Sequence, residues 1–465
     1  MKSKWLVSAC AVMAAAAVVA LSAANPGVTL IGVGAIPGNS LDRSGLAGKT
    51  ICRVEDDSAC IDQATLGGLG SGVTYTGFNN IFLAVPDRGP FDGRTDVPYD
   101  DRFHLLQMTV DTKAAFPNIK AEVVATRFLK DEWNRRFVGD AYAFDTDNPL
   151  TTKRFDPEAV VVGLLGTFFI ADEYGPYVRE FDRSGRLLRR ILLPEKFRLD
   201  PVNGRPTGDV DSGGNSLELY PDYNITGRQA NRGMEGLAIT PNGRTLVGIM
   251  QNALLQDHGF DPIAVSRIGF NNRLVTIDLL TGRTREYVYV MDAVNQGRGV
   301  NEILAINDHE FLVLERDNRT NVPTPPNAAQ TPNLKRIYKI DLAQPGLTDV
   351  SDIDSLPQAP VDNLNIVPVA KTLFLDLLDP VYKVNATQTI KDVIAEKIEG
   401  LAWGPKLKDG RPVLYVFSDN DLYPGNATQI YAFAVDPAAA GVKYRPQQVL
   451  LPLLAPWELP GGWRW

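Results

Sequence analysis

Carboxylates recur in this chain inside a repeated phrase: a small or acidic residue, a glycine or its substitute, an apolar pair, a turn, a β-run and a closing polar cluster. The copies begin at Gly68-Leu69, Asp156-Pro157-Glu158, Gly233-Met234-Glu235, Val300-Asn301-Glu302 and Ile398-Glu399-Gly400. Glu158, Glu235, Glu302 and Glu399 fall at the same point of their copies, which predicts that the four meet. Carboxylates brought to one centre repel each other and are costly to strip of water, so they demand a counter-charge. A hard cation such as Ca²⁺, taking roughly six to eight oxygens, supplies one. Arginines supply another, and Arg88, Arg232, Arg298 and Arg316 lie beside the repeat acids or inside the polar clusters.

The closing clusters are Asp87-Arg88, Asp172-Glu173, Glu315-Arg316-Asp317 and Asp419-Asn420-Asp421. Acids a residue or two apart can chelate Ca²⁺ or position a water for attack. Arginines there suit a phosphate or carboxylate through paired hydrogen bonds. The expectation is therefore a metal held by Glu158, Glu235, Glu302, Glu399, Asp419 and Asp421. Catalysis is expected from Glu235, Glu399, Asp172 and Glu173, and substrate binding from Arg88, Arg232, Arg298 and Arg316. The competing reading is a closed ring of Glu–Arg pairs tying the repeats together, with the Asp and Asn residues capping turns.

Other motifs are absent. Gly70-Ser71-Gly72 lacks the first glycine of a nucleophile elbow, because Leu69 stands there. Gly48-Lys49-Thr50 has Arg43 where a phosphate-binding loop needs glycine. Asp209-Val210-Asp211-Ser212-Gly213-Gly214 breaks EF-hand spacing and reads as an acidic surface loop. His104, His258 and His309 are scattered and read as solvent-facing or hydrogen-bonded. The Asn-x-Thr sequons at Asn224, Asn318, Asn385 and Asn426 matter only in a eukaryotic secretory route.

The elements that must position these groups read as strands. Forty glycines and 32 prolines in 465 residues mean many turns. Short apolar runs, Ile81–Val85, Phe168–Ala171, Thr245–Met250, Phe311–Leu314 and Val413–Phe417, are bounded by turn residues. Arg273–Leu279 and Thr284–Val290 flank Thr281-Gly282 as a hairpin, and a few helical turns are expected near Lys391–Lys397. A repeated β-meander that cannot bury both faces alone predicts an all-β fold, a β-propeller. Copy starts about 65–100 residues apart suggest further blades between them, six to eight in all. Asp92–Asp101, Asp200–Asn224 and Asn318–Asn333 read as insertions. None resembles a linker, so residues 25–465 are expected to form one domain.

The N-terminus reads as an export signal. Lys2 and Lys4 precede an apolar run to Leu21, and Ser22-Ala23-Ala24 offers a small-residue cleavage site. Residues 1–24 are expected to be removed, leaving no stable membrane span and a periplasmic or secreted monomer. Cys10 would leave with them, and Cys52 and Cys60 would form a disulfide. A formal charge of −8 excludes a phosphate-backbone partner, which needs a basic face.

Taken together, Asp87-Arg88-Gly89-Pro90, Asp156-Pro157-Glu158, Asp172-Glu173-Tyr174-Gly175-Pro176, Arg232-Gly233-Met234-Glu235-Gly236-Leu237-Ala238, Leu314-Glu315-Arg316-Asp317, Glu399-Gly400-Leu401-Ala402 and Ser418-Asp419-Asn420-Asp421 resemble the phytase-like family, whose domain is labelled for esterase-like activity of phytase. The resemblance spans residues 68–421 and implies an exported β-propeller acting on a small phosphoester or ester. Ala159 and Ile303 depart from it, standing where glycine follows glutamate elsewhere. Two further classes remain open: a non-catalytic propeller binding a ligand or envelope partner, and a lactonase-like or oxidoreductase-like metal propeller.

Overall fold

Apolar runs too short for helices and too continuous for half-exposed strands need neighbours on both faces, and stacked four-stranded sheets provide them. The computed structural model describes residues 24–451 except 55, 141, 142, 144–151, 176, 198–225, 262, 265, 295–297, 323–329 and 362–364. The export signal and the Asp209–Gly214 loop therefore lie outside the described residues.

Five four-stranded antiparallel sheets are present among the described residues. Blade I comprises Gly72–Tyr75, Ile81–Val85, Arg102–Val110 and Ile119–Phe128. Blade II comprises Pro157–Val162, Phe168–Asp172, Tyr177–Phe181 and Leu187–Leu192. Blade III comprises Met234–Ile239, Thr245–Met250, Asn271–Asp278 and Thr284–Val290. Blade IV comprises Gly299–Ala305, Glu310–Arg316, Lys335–Asp341 and Lys371–Asp376. Blade V comprises Lys397–Gly404, Val413–Asp419 and Thr428–Val435, and its outer strand is the N-terminal Val28–Ile36. The expected hairpin is the outer pair of blade III, turning on Gly282 at φ 72°. The expected helical turns shrink to Ile390–Val393, capped by Thr389 and Asp392.

The ring closes on five rather than the expected six to eight. The first strands of blades I to V neighbour one another in sequence, and blade V returns to blade I. Each of the five junctions has its own buried apolar cluster, such as Leu83, Phe103, Val160 and Phe168 between blades I and II. The wide spacing of the phrases comes from excursions rather than extra blades. Blade III inserts Ala253–Phe270 between its middle strands, and blade IV inserts Leu342–Ala370 between its outer ones.

The two mouths of the channel differ. At one, Val442–Leu451 crosses the ring, with Arg445 N donating to Ile306 O, Gln448 N to Pro241 O and Leu450 N to Leu164 O. At the other stands a hairpin, Thr50–Arg53 with Asp56–Asp62, stapled by the expected Cys52–Cys60 disulfide. No helix among the described residues is long and apolar enough to cross a membrane.

Candidate functional site

The repeated glutamates owe their direction to β-bulges. In blades II to V the pairing of the first two strands slips between Pro157/Val160, Met234/Gly236, Val300/Glu302 and Ile398/Gly400. A bulge adds one residue, bends the strand and re-aims a side chain. The residues so placed are Glu158, Glu235, Asn301 and Glu399, with Ser71 at the corresponding point of blade I. Where glycine follows, in blades I, III and V, close packing favours it. A Cβ at Gly72 would sit 2.2 Å from Glu158 O, and one at Gly400 would sit 2.8 Å from Gly70 O, because adjacent first strands approach that closely.

This register corrects one expectation. Glu302 occupies the glycine position, and Asn301 takes the glutamate's place. The Glu302 carboxylate turns to the neighbouring backbone, where Oε1 accepts from Ile303 N at 2.8 Å and Leu237 N at 3.2 Å. Three of the four predicted glutamates therefore converge. Asn301 Nδ2 lies 2.9 Å from Glu235 Oε1 and 3.5 Å from Glu399 Oε1.

A second set of side chains surrounds the first. Two residues beyond the partners of Gly72, Gly236 and Gly400 stand Asp87, Gln251 and Asp419, and by the same register Glu173 and Arg316 complete the circle. Both sets are divided by chemistry. Blades V, I and II contribute Asp87, Asp156, Glu158, Glu173, Asp419 and Asp421, against which stand Arg88 and Lys397. Blades III and IV contribute Gln251, Asn301, Arg232 and Arg316 around Glu235 and the neighbouring Glu399.

In the acidic half, Arg88 is already consumed. Its Nη1 donates to Asp156 Oδ2 at 2.8 Å and to Glu173 Oε2 at 3.3 Å, and its Nη2 to Asp92 Oδ1 at 2.9 Å. Asp172 is tied to Arg179 and accepts from Tyr174 N and from the backbone N of Asp156, so it supports the acidic set rather than joining it. Among the described residues Asp87 accepts only from Gly89 N, at 3.0 Å, and burial pushes its carboxyl up to about 6. Glu158 has no hydrogen-bond partner among the described residues. Burial, then Glu235, Asp156, Glu173 and Asp87, all drive it toward the neutral form. Asp419, 4% exposed, has a buried Oδ2 without a hydrogen bond. Oxygens of Asp87, Asp419 and Asp421 lie within 4.8 Å of one another, as do those of Asp156, Glu158 and Glu173. An all-oxygen donor set with orphaned oxygens fits a hard divalent cation.

The opposite half is polar and cationic. Gln251 Nε2 donates to Glu235 Oε1 at 2.5 Å, and Arg316 Nη2 donates to Glu399 Oε1 at 2.5 Å. Arg232 Nη1 holds Gln251 Oε1 at 2.6 Å. Burial and then repulsion from Arg267 pull the Arg232 guanidinium down to about 9. The Nε atoms of Arg232, Arg298 and Arg316 are buried without hydrogen-bond partners. Arg298 stands further out, its Nη2 on Asn333 Oδ1 at 2.6 Å. The expected Glu–Arg ring is thus partial: Arg316 holds Glu399, Arg88 holds Asp156 and Glu173, and Glu158 is left over.

An open cavity of about 790 Å³ leads to the acids, with Asp87, Lys397 and Asp419 in its lining and Phe91, Arg53 and Tyr423 around it. The histidines lie elsewhere; His104 Nδ1, for instance, pairs with Thr126 Oγ1 at 3.0 Å. Asp156, Gln251, Asn301 and Lys397 were not assigned roles from the sequence. One signal could have found two of them: Asp156 and Lys397 each stand two residues before a repeat glutamate.

The chain is 31% identical over 268 residues to an uncharacterized secreted protein of Arthroderma benhamiae, covering 50% of this chain and 49% of that protein. It therefore spans about half the length of that relative. Among solved structures it is similar to the calcium-binding protein regucalcin from Agrobacterium tumefaciens, at 11% identity and a TM-score of 0.34 over 84% of this chain and 95% of that one. It is also similar to the β-propeller domain of Cps50 (Swd1) from Myceliophteria thermophila, at 10% identity and a TM-score of 0.32 over 80% and 98%. Residues 64–422 match the phytase-like family, described as esterase-like activity of phytase, and with this match over most of its length the chain belongs to that family.

Proposed function

We propose that the protein is an exported, calcium-dependent hydrolase of small phosphoesters or esters. The division of one mouth into an acidic and an arginine-bearing half carries this reading. Phosphoester hydrolysis needs a cation to neutralise charge and donors to hold the phosphoryl oxygens, and the two halves offer these side by side. Asp87 and Asp419, which no arginine binds, would hold the cation together with Asp421, and Glu158, also without an arginine, adds its charge from the Asp156–Glu173 group. Calcium there would polarise the substrate and an attacking water. Arg232 and Arg316 would orient the anion through donors that the protein leaves unused. Glu235, between the halves, is kept toward its protonated form by burial and by Glu173 and Glu399, which suits proton donation to a leaving oxygen. The signal-like residues 1–24 and the secreted relative support export.

Purified protein assayed on phytate, p-nitrophenyl phosphate and p-nitrophenyl esters, with calcium and with chelator, tests this reading. Turnover that requires calcium supports it; none on any substrate in either condition contradicts it. One observation favours a binding propeller instead, namely that Arg88 and Arg316 already neutralise four acids internally. In that case Glu399→Gln lowers thermal stability and no turnover is found to lose.

A further inference from the structure

Lys397 stands where a cation is wanted. It opens the first strand of blade V and pairs across the ladder with Asp419. Its ammonium is bonded to Asp421 and lies 4.0 Å from Asp419 Oδ2, too far to hydrogen-bond that buried and otherwise unpartnered oxygen. Asp87 completes the group from blade I, its oxygen within 4.8 Å of those of Asp419 and Asp421. Three carboxylates thus share one lysine, which satisfies one of them well. Its side chain is 26% exposed and borders the open cavity, so it can leave without unpacking the core.

We propose that Asp87, Asp419 and Asp421 form a hard divalent-cation site and that Lys397 is its built-in competitor. The ammonium holds the acids together in the metal-free protein and is displaced into the cavity when the cation enters. A doubly charged ion meeting three oxygens directly gains more than a single ammonium meeting one, so exchange favours the ion. The displaced ammonium then faces the cavity, where it adds a positive donor for an anionic ligand. This inference names the ligands within the cation reading above and adds a residue that sets the affinity.

Calorimetric titration of calcium alone into the full chain tests it, without reference to turnover. Lys397→Met should bind calcium about tenfold more tightly, because the competing ion pair is gone. Asp419→Asn should lose binding. In chelator, Lys397→Met should melt below the wild type, and calcium should restore it, which separates a lost competitor from a damaged fold. Unchanged or weaker binding by Lys397→Met, or wild-type binding by Asp419→Asn, overturns the proposal. Calcium-dependent turnover together with either result would leave the hydrolase reading standing and remove this site. Tighter binding without turnover would do the reverse.

Discussion

The two halves of the mouth are built on the same first strands, bulged in blades II to V, yet they handle charge in opposite ways. Around blades III and IV each acid meets a side-chain donor through one oxygen: Glu235 Oε1 has Gln251 and Asn301, and Glu399, reaching over from blade V, has Arg316, while Glu235 Oε2 stays buried without a partner. In blades V, I and II the backbone brings up more carboxylates than cations, and Glu158 and Asp419 Oδ2 are left over. The scaffold therefore sets direction, and single side chains at equivalent positions set sign. A buried acid with a partner is structure; a buried acid without one is stored affinity for a cation.

The largest expected effect breaks the satisfied half. Arg316→Met leaves Glu399 buried and unpaired, and should destabilise by about 3–5 kcal/mol in denaturant unfolding. A loss below about 1 kcal/mol would show that Glu399 is not held by that pair. The opposite sign is expected across the mouth. Glu158→Gln removes a charge that burial and the neighbouring acids Glu235, Asp156, Glu173 and Asp87 disfavour, so in chelator it should stabilise by about 1–2 kcal/mol and shrink the melting-temperature gain on adding calcium.

Acidity sharpens the comparison. A carboxyl whose folded pKa lies above its unfolded value binds more protons when folded, so the stability it contributes is complete below the unfolded pKa and is lost as pH rises through the folded one. Asp87 moves from 3.8 to about 6, and Asp156, Glu158, Glu235 and Asp419 move in the same direction. In chelator the protein should therefore melt a few degrees higher at pH 5 than at pH 7, and saturating calcium should reverse that order. A metal-free melting temperature that rises with pH across this range would contradict the acidic half as described. The smallest effect is reserved for Glu302→Gln. That side chain accepts backbone N–H groups outside both sets, so calcium affinity should be unchanged and stability should move by less than about 1 kcal/mol.

Much of this was legible in the residues. The strands appear as bounded apolar runs, and Ile81–Val85 and Thr245–Met250 coincide with the observed ones. The phrase located Glu158, Glu235 and Glu399 because the bulge stands at a fixed place in each first strand, followed in blades III and V by the glycine that the close strand approach favours. Blade IV misled because Asn301 and Glu302 are adjacent polar residues, and only the pairing register says which one is bulged. Lys397 stayed hidden because its partner Asp421 is 24 residues away and meets it only across a ladder. Blade number was illegible because an excursion such as Leu342–Ala370 is as long as a missing blade would be.

Anomalous diffraction from crystals grown with manganese in place of calcium tests the account most directly. An ordered cation among the carboxylates of blades V, I and II, beside Asp87 and Asp419, is the expected result. A well-defined mouth with no ion there, or with the ion seated among Arg232, Gln251 and Arg316, would contradict the division of charge on which the account stands.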